Sequence, residues 1–480
     1  MNDSPSTQSK PSGRRQWPDY ASVWRWHFYA GVFCIPFVIV LSISGTIYLY
    51  RPQIEAWQER HYDQLPVDGR SPISLMRQVE SAVASVDGGR FVLAERPHAF
   101  DDSDPTTSAT RVIVDRGGDR LRIFVHPIDG SVLGTVEEDQ RFVRVVRRIH
   151  GELLLGKRGS YLVELAASWT IVMVLTGLVL WLPRKFQLAG VVYPRWNAKG
   201  KSFWKDIHSV GGLWASGLIV FLVATGLPWS LFWGDYFKSI RKVTGTTHAS
   251  SHWDNGSPKG EHANHEEKRP ARSGSPPWRS PIPDPSTFHL SQIDRVAPFA
   301  QSLNWLPPIT LAPPSNGGSI WTIKSETANR PHQQTLRYDA ESQEPVGVET
   351  FADRHWVDRV VGQGIALHEG QRFGLANQLI ASAVTGMLLI LSVTGIVLWW
   401  RRRDSFGLSP PASISRHGRI TDRISRGRCI GLGLAVIGLT IYLPLFGLSL
   451  VVVLLLDGLV FTRFTPLAIW LGRRCAAVGP

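Results

Sequence analysis

Five stretches of this chain, 28–50, 165–183, 207–234, 373–400 and 429–456, contain no Asp, Glu, Lys or Arg. An α-helix rises about 1.5 Å per residue, so roughly 20 residues cross the ~30 Å hydrocarbon core of a bilayer. Buried helices of water-soluble proteins are shorter, about 10–14 residues, and keep a polar stripe. The fold class expected is therefore a polytopic α-helical membrane protein. A mean hydropathy of −0.05 hides this, because it averages apolar spans with polar segments.

Spans are expected at 28–50, 161–183, 207–233 and 378–400. The first has too long an apolar run for a cleaved leader and no small-residue cleavage site, so it reads as an uncleaved signal anchor. The apolar stretch 429–462 holds Pro444, Phe446 and Gly447 near its middle. It reads as a hairpin of two short spans, making six helices; one long helix would make five.

Charge sets the orientation. The segments 1–27, 184–206, 401–428 and 463–480 together carry a net +16, and the remainder carries −3. The positive-inside rule then puts both termini and these segments in the cytoplasm, with the large loops on the outer face. The overall +13 thus reports topology, and no nucleic-acid partner is expected. Cys34, Cys429 and Cys475 avoid the exported loops and form no CxxC, so neither a structural disulfide nor a thiol metal site is expected.

Two registers repeat. An offset of 181 sets His27 on His208, Gly31 on Gly212, Ser44 on Thr225 and Gly45 on Gly226. An offset of 218 sets His150 on His368, Gly156 on Gly374, Thr176 on Thr394, Gly177 on Gly395, Trp181 on Trp399 and Arg184 on Arg402. An internal duplication is the simplest source: a four-helix core of two parallel units, each a helix out, an exported domain and a helix back, plus the C-terminal hairpin.

The exported segments 51–160 and 286–367 each order a helix-like stretch before strand-like ones, SPISLMRQVESAVASV before 110–114 and 121–126, and SQIDRVAPFAQSL before IWTIKSE and QTLRYDAESQEPVG. Each reads as a small α+β domain. Within 234–285 the stretch 244–285 is a Ser/Pro/Gly-rich linker with His248, His252, His262 and His265, whose spacing describes no closed metal site.

Ionisable groups at membrane depth are functional candidates, and here they are four histidines at span ends. The repeat makes His27 face His208 on the cytoplasmic side and His150 face His368 on the outer side. A facing pair supplies the two axial nitrogens of a six-coordinate haem held inside a bundle, so these four are expected as metal ligands. On a helix, positions i+4 and i+18 share the face of i. Gly31, Gly45, Gly212 and Gly226 therefore lie on the histidine faces, where a flat ring must approach closely, and Gly177 and Gly395 do the same on the returning helices. Close packing of small residues between membrane helices is the competing explanation for the glycines. His61, His98, His126, His289, His332, His355 and His417 match no partner and read as surface residues. Trp24, Trp26, Trp181, Trp204, Trp233, Trp399 and Trp400 sit at span ends, as in an interfacial belt.

The segments WRWHFYAGVFCIPFVIVLSISGTIYLY, RRIHGELLLGKRGSYLVELAASWTIVMVLTGLVLW, DIHSVGGLWASGLIVFLVATG and IALHEGQRFGLANQLIASAVTGMLLILSVTGIVLWWRRR resemble the helices of the PepSY-associated transmembrane family over roughly 20–462. That family includes iron-regulated inner-membrane proteins and ferric-siderophore reductases. The resemblance implies PepSY-like exported domains and two b-type haems on His27, His208, His150 and His368. It also implies electron transfer outward to a ferric siderophore or another periplasmic acceptor, for iron uptake. No GxGxxG follows a strand, so a quinol or a separate cytoplasmic reductase is expected as donor. Two rivals are weighed: a membrane anchor whose PepSY domains bind peptides or restrain an envelope protease, and a transporter, which would want carboxylates at mid-membrane.

Overall fold

The computed structural model describes residues 20–66, 69–96, 107–183, 187–246, 284–314, 317–401, 425–456 and 459. The linker histidines, His98, His417 and Cys475 lie outside the described residues.

In chain order the elements are α1 (Tyr20–Leu49), α2 (Arg51–Glu59), α3 (Leu75–Ala84), β1 (Arg90–Arg96), β2 (Thr110–Arg116), β3 (Asp119–Val125), β4 (Val132–Glu137), α4 (Phe142–Glu152), α5 (Lys157–Trp181), α6 (Lys201–Gly226) and α7 (Leu231–Val243). They continue with α8 (Ile293–Ser302), β5 (Ile309–Ala312), β6 (Ile320–Ser325), β7 (Thr335–Asp339), β8 (Glu344–Glu349), α9 (Trp356–His368), α10 (Leu375–Trp400), α11 (Ser425–Tyr442) and α12 (Pro444–Leu456). Four helical stretches among the described residues are long and apolar enough to cross a membrane: Ser22–Leu49, Lys157–Trp181, Lys201–Trp229 and Leu375–Trp400. The C-terminal apolar stretch is broken at Leu443, where Pro444 opens a new helix. Its two apolar helices, Ile430–Tyr442 and Pro444–Leu456, are each shorter than a span.

The described chain divides into two compact units. The first comprises 1–38, 165–220 and 389–480, and its elements among the described residues are helices. In it the buried Cys34 thiol reaches the carbonyl of Ala166 at 3.6 Å, and the Trp169 indole donates to Ser449 and packs edge-on to Phe446. Cys34 thus acts as a small apolar residue at a helix contact.

The second unit, 39–164 and 221–388, carries the sheet. All eight strands form one antiparallel sheet in the order β4-β3-β2-β1-β5-β6-β7-β8. Two separate α+β domains were the expectation; instead the two meanders join edge to edge, pairing Ala94 with Leu311, Glu95 with Thr310 and Arg96 with Ile309. The physical reason is the exposed edge each four-stranded meander would otherwise leave. Helices α3 and α8 cover one face of the joined sheet. Val79 and Ala82 of α3, Ile293 and Val296 of α8, and Val112, Ile123, Leu311, Trp321 and Ile323 of the strands share a single core. Ser74 caps α3 by accepting from the Arg77 amide.

The opposite face of β1–β3 explains why β2 is buried from Thr110 to Asp115 on both sides. There Arg111 pairs with Glu59 and Asp63, and Arg122 pairs with Glu95 and Glu138. Burial alone would raise the Glu138 carboxyl; the guanidiniums of Arg122, Arg141 and Arg144 outweigh it and hold the group well below the usual carboxylate range. A depressed carboxylate stabilises the fold above its ordinary value of 4.5 and loses that contribution as pH falls below it. Glu138→Gln, which mimics the acid form, is therefore expected to make 110–137 more susceptible to proteolysis at pH 7. The difference from wild type should shrink as pH drops below 4.5. Equal protection of the two at pH 7 would count against the network.

In the same unit Glu164 of α5 accepts from the amides of Phe232 and Trp233, satisfying first-turn N–H groups of α7. Further contacts are Thr46 to Thr385, Tyr50 to Ser382, and Gln53 to Gln378.

Candidate functional site

In the first unit, His27 of α1 and His208 of α6 face each other with ring centres 6.3 Å apart and planes at 82°. Nδ1 of His27 lies 3.0 Å from the Met173 carbonyl and 3.2 Å from Thr176 Oγ1. Nδ1 of His208 lies 2.9 Å from Thr394 Oγ1.

In the second unit, His150 stands near the end of α4 and His368 ends α9. The chain turns after each through left-handed residues, Leu153, Leu154 and Gly156 in one case and Gly370 and Gly374 in the other. These corners end the short helix so that its histidine is carried at a helix terminus. The two rings are again 6.3 Å apart, at 61°. Nδ1 of His150 is 3.1 Å from the Leu41 carbonyl and 3.2 Å from Ser44 Oγ, and Nδ1 of His368 is 3.3 Å from Thr225 Oγ1. Burial, reinforced by His368, pushes His150 down to about 4, and burial lowers His368 as well, so both rings are neutral near pH 7.

One local device recurs at all four histidines. Each hydroxyl donates its own proton one turn back, Ser44 to Val40, Thr176 to Val172, Thr225 to Phe221 and Thr394 to Ile390. Having spent its proton there, the hydroxyl oxygen can only accept, so Nδ1 must be the N–H donor. That fixes the tautomer and makes Nε2 the nitrogen that carries the lone pair. The residue after each hydroxyl is glycine, and its missing side chain is where the imidazole edge sits. A Cβ on Gly45 would stand 2.9 Å from His150 Cε1, on Gly177 3.0 Å from His27, on Gly226 3.1 Å from His368 and on Gly395 3.5 Å from His208.

The six candidate glycines therefore divide. Gly45, Gly177, Gly226 and Gly395 back the imidazoles, a role different from the expected approach to a flat macrocycle. Gly31 and Gly212 back no imidazole: an added Cβ would make one ordinary contact each, at 3.9 Å, with Met173 Sδ and Leu391 Cδ2. The acceptors Ser44, Thr176, Thr225 and Thr394 were visible in the sequence as four [ST]-G dipeptides but carry a role that the repeat alone did not reveal. Among the described residues no group of three or more His, Cys, Asp or Glu is placed to hold a metal ion. Each histidine pair thus offers two nitrogens and nothing more.

Two imidazole nitrogens offered from separate helices would suit a metal whose remaining ligands come from a macrocycle. With about 2.0–2.1 Å from imidazole nitrogen to metal, and roughly 1.1 Å from that nitrogen to its ring centre, two trans rings stand about 6 Å apart. Both observed separations meet this requirement. Nδ1 protons donated to the protein, which leave the lone pair on Nε2, match the donor set that a bis-imidazole haem would need.

Charged groups lie beyond the second pair. Glu369 follows His368 and stands 3.6 Å from Arg330, while Arg147 and Arg330 both stack on the Trp229 indole, at 5.2 and 4.9 Å. Burial would raise Glu369, but Arg330, Arg51 and Arg147 hold it down. Burial pushes Arg147 down to about 10. A cavity of about 850 Å³ opens in the same unit beside Thr225 and Leu367, lined also by Phe351, Trp356 and Arg359.

The chain belongs to the PepSY-associated TM region family, whose model matches residues 24–402 and so includes all four histidines. No curated protein matches the sequence.

Proposed function

We propose that this protein is a di-haem electron carrier of a bacterial inner membrane, passing electrons from the cytoplasmic side to the periplasm to reduce a ferric siderophore or another ferric chelate. The observation that carries this reading is the two pairs of facing imidazoles, each pair with ring centres 6.3 Å apart and every Nδ1 set against a hydroxyl that can only accept from it. His27 and His208 would hold one b-type haem, and His150 and His368 the other. Haem supplies one-electron redox chemistry; the chain's residues orient the ligands, fix their tautomers and keep water from them.

The same arrangement at both pairs, [ST]-G against histidine, supports an internal duplication, and the matched element order of the two meanders supports two PepSY-like halves of one sheet. The +16 of 1–27, 184–206, 401–428 and 463–480 supports cytoplasmic termini, with the sheet on the periplasmic side. A quinol or separate reductase supplies the electrons, and 429–462 completes the membrane part.

The test is haem content and turnover of the purified protein. Two haems per chain, low-spin bis-imidazole spectra, and reoxidation of the reduced protein by a ferric chelate are expected. A haem-free protein with intact fold would instead favour a peptide-binding membrane anchor.

A further inference from the structure

The cavity of about 850 Å³ in the second unit is lined by two sets of residues of different origin. Phe221 and Thr225 belong to the apolar stretch Lys201–Trp229, and Trp356, Val360 and Leu367 recur at helical spacing along one face of α9. His332 comes from the turn after β6, Thr350 follows β8, and Arg359 stands on α9. Phe221 lies eight residues before Trp229, which is roughly 12 Å of helix, so the cavity reaches acyl-chain depth in a bilayer that this stretch crosses.

The short helices around the cavity carry the marks of an interface. Helix α7 follows that stretch directly, α9 leads into α10, and a buried ion pair of Arg241 with Asp358, at 2.9 Å, ties the two short helices together. Each exposes apolar side chains, Phe232, Ile240 and Val243 on α7 and Trp356 and Val360 on α9. Short helices with an exposed apolar face beside a span lie in the boundary between headgroups and acyl chains. Trp356 and Val360 are at once cavity lining and bilayer-facing surface, so the cavity opens toward lipid along α9.

The polar lining sets the charge of an occupant. Among the described residues there, Arg359 is the one permanent charge and no carboxylate is present, which suits an anion and disfavours a cation. Position sets its chemistry. Thr225 Oγ1 stands 3.3 Å from Nδ1 of His368, and Leu367 is the residue before that histidine, so an occupant touches the groups that hold this imidazole.

We propose that the cavity takes an anionic ferric chelate bearing an acyl tail, entered from the bilayer, with the tail along Phe221 and Val360 and the chelating head at Arg359. This rests on the ferric-chelate reading above and narrows it to amphiphilic substrates. The step is one electron to the chelate's iron(III), which becomes iron(II). The reduced haem on His150 and His368 supplies it and becomes ferric, and no proton moves.

The experiment uses the full chain in phospholipid nanodiscs and a citrate-based dihydroxamate chelator made with and without a dodecanoyl tail. The redox-inert gallium(III) complexes report equilibrium binding, with empty nanodiscs as background, and the iron(III) complexes report reoxidation of the reduced protein. Burying two or three methylenes changes an equilibrium constant by about tenfold or more, so the tailed complex is expected to bind at least about tenfold tighter. Val360→Asp, and the milder Trp356→Ala, are expected to remove most of that advantage and to leave the tail-less complex unaffected. Arg359→Gln is expected to weaken both complexes roughly tenfold, and Arg359→Lys to recover part of the loss.

A tail that acts only by partition into the bilayer would keep its advantage in Val360→Asp and Trp356→Ala, and that result would overturn the proposal. Equal binding of the two complexes by wild type would do the same, and two haems per chain alongside it would leave the haem reading intact. Gallium binding that depends on the tail and on Arg359 in a haem-free chain would support the site and remove the haem reading instead.

Discussion

With His208 replaced by alanine, the purified chain is expected to carry one haem in place of two, the loss being confined to the site it shares with His27. A bis-imidazole site has no spare ligand, and no other His, Cys, Asp or Glu gathers there among the described residues. The Nε2 of His27 alone would leave a five-coordinate iron facing a cavity one imidazole wide. Reduced-minus-oxidised spectra and extracted haem per chain measure the outcome. The signal should fall by about half, and the remaining haem should keep its low-spin spectrum, because His150 and His368 keep their own Nδ1 partners in the other unit. An unchanged signal in His208→Ala would refute the assignment of this pair. His61→Ala is the control: that ring is exposed and packs on Tyr62, so its removal is expected to leave both haems in place.

The histidine pairs were legible in the sequence because four physical requirements left marks there. Charge-free runs marked the spans, histidines at their ends marked the candidate residues, offsets of 181 and 218 paired them, and [ST]-G dipeptides recurred at fixed distances. What those dipeptides do was not legible. Gly45 shares a face of α1 with His27 but lies about five turns away, where the sequence reading expected it to make room for the second haem, yet it packs on the His150 imidazole of α4. Which helix meets which face is decided by packing between segments more than 100 residues apart, and spacing within one helix carries no trace of it.

The joined sheet was hidden for a related reason. Its seam is three residue pairs between RFVLAER and ITLA, and neither segment has the strict alternation that announces a half-buried strand. The strands β2 and β3 were visible from their β-branched content, but their double-sided burial was not. It depends on Arg111 and Arg122 being neutralised by carboxylates from α2, from β1 and from the turn before α4. The C-terminal break at Pro444 was marked by the proline itself, and the shortness of both helices there follows from its position.

The imidazole-backing role of the glycines predicts an effect larger than a methyl group ordinarily has between membrane helices. In Gly45→Ala the new Cβ would stand 2.9 Å from His150 Cε1, closer than such atoms approach, at the same ring edge whose Nδ1 is tied to α1 by the Leu41 carbonyl and Ser44. The ring must move, which breaks the Nδ1 hydrogen bonds or turns Nε2 away from His368. Overpacking of this kind costs about 1–3 kcal/mol, so occupancy of the haem on His150 and His368 is expected to fall roughly tenfold under limiting haem. Alanine favours a helix over glycine by about 1 kcal/mol, so the fold itself should not suffer, and a thermal melt can separate the two effects. Gly386→Ala provides the comparison: nothing lies within 4 Å of its added Cβ, so both haems should remain. Gly31→Ala then separates the two jobs assigned to glycine here. Its Cβ meets only Met173 Sδ at 3.9 Å in the protein. Loss of the haem on His27 and His208 in that variant would therefore mean contact with the macrocycle itself. If Gly45→Ala and Gly386→Ala retain haem equally, the glycines serve helix packing alone and the imidazole-backing role is wrong.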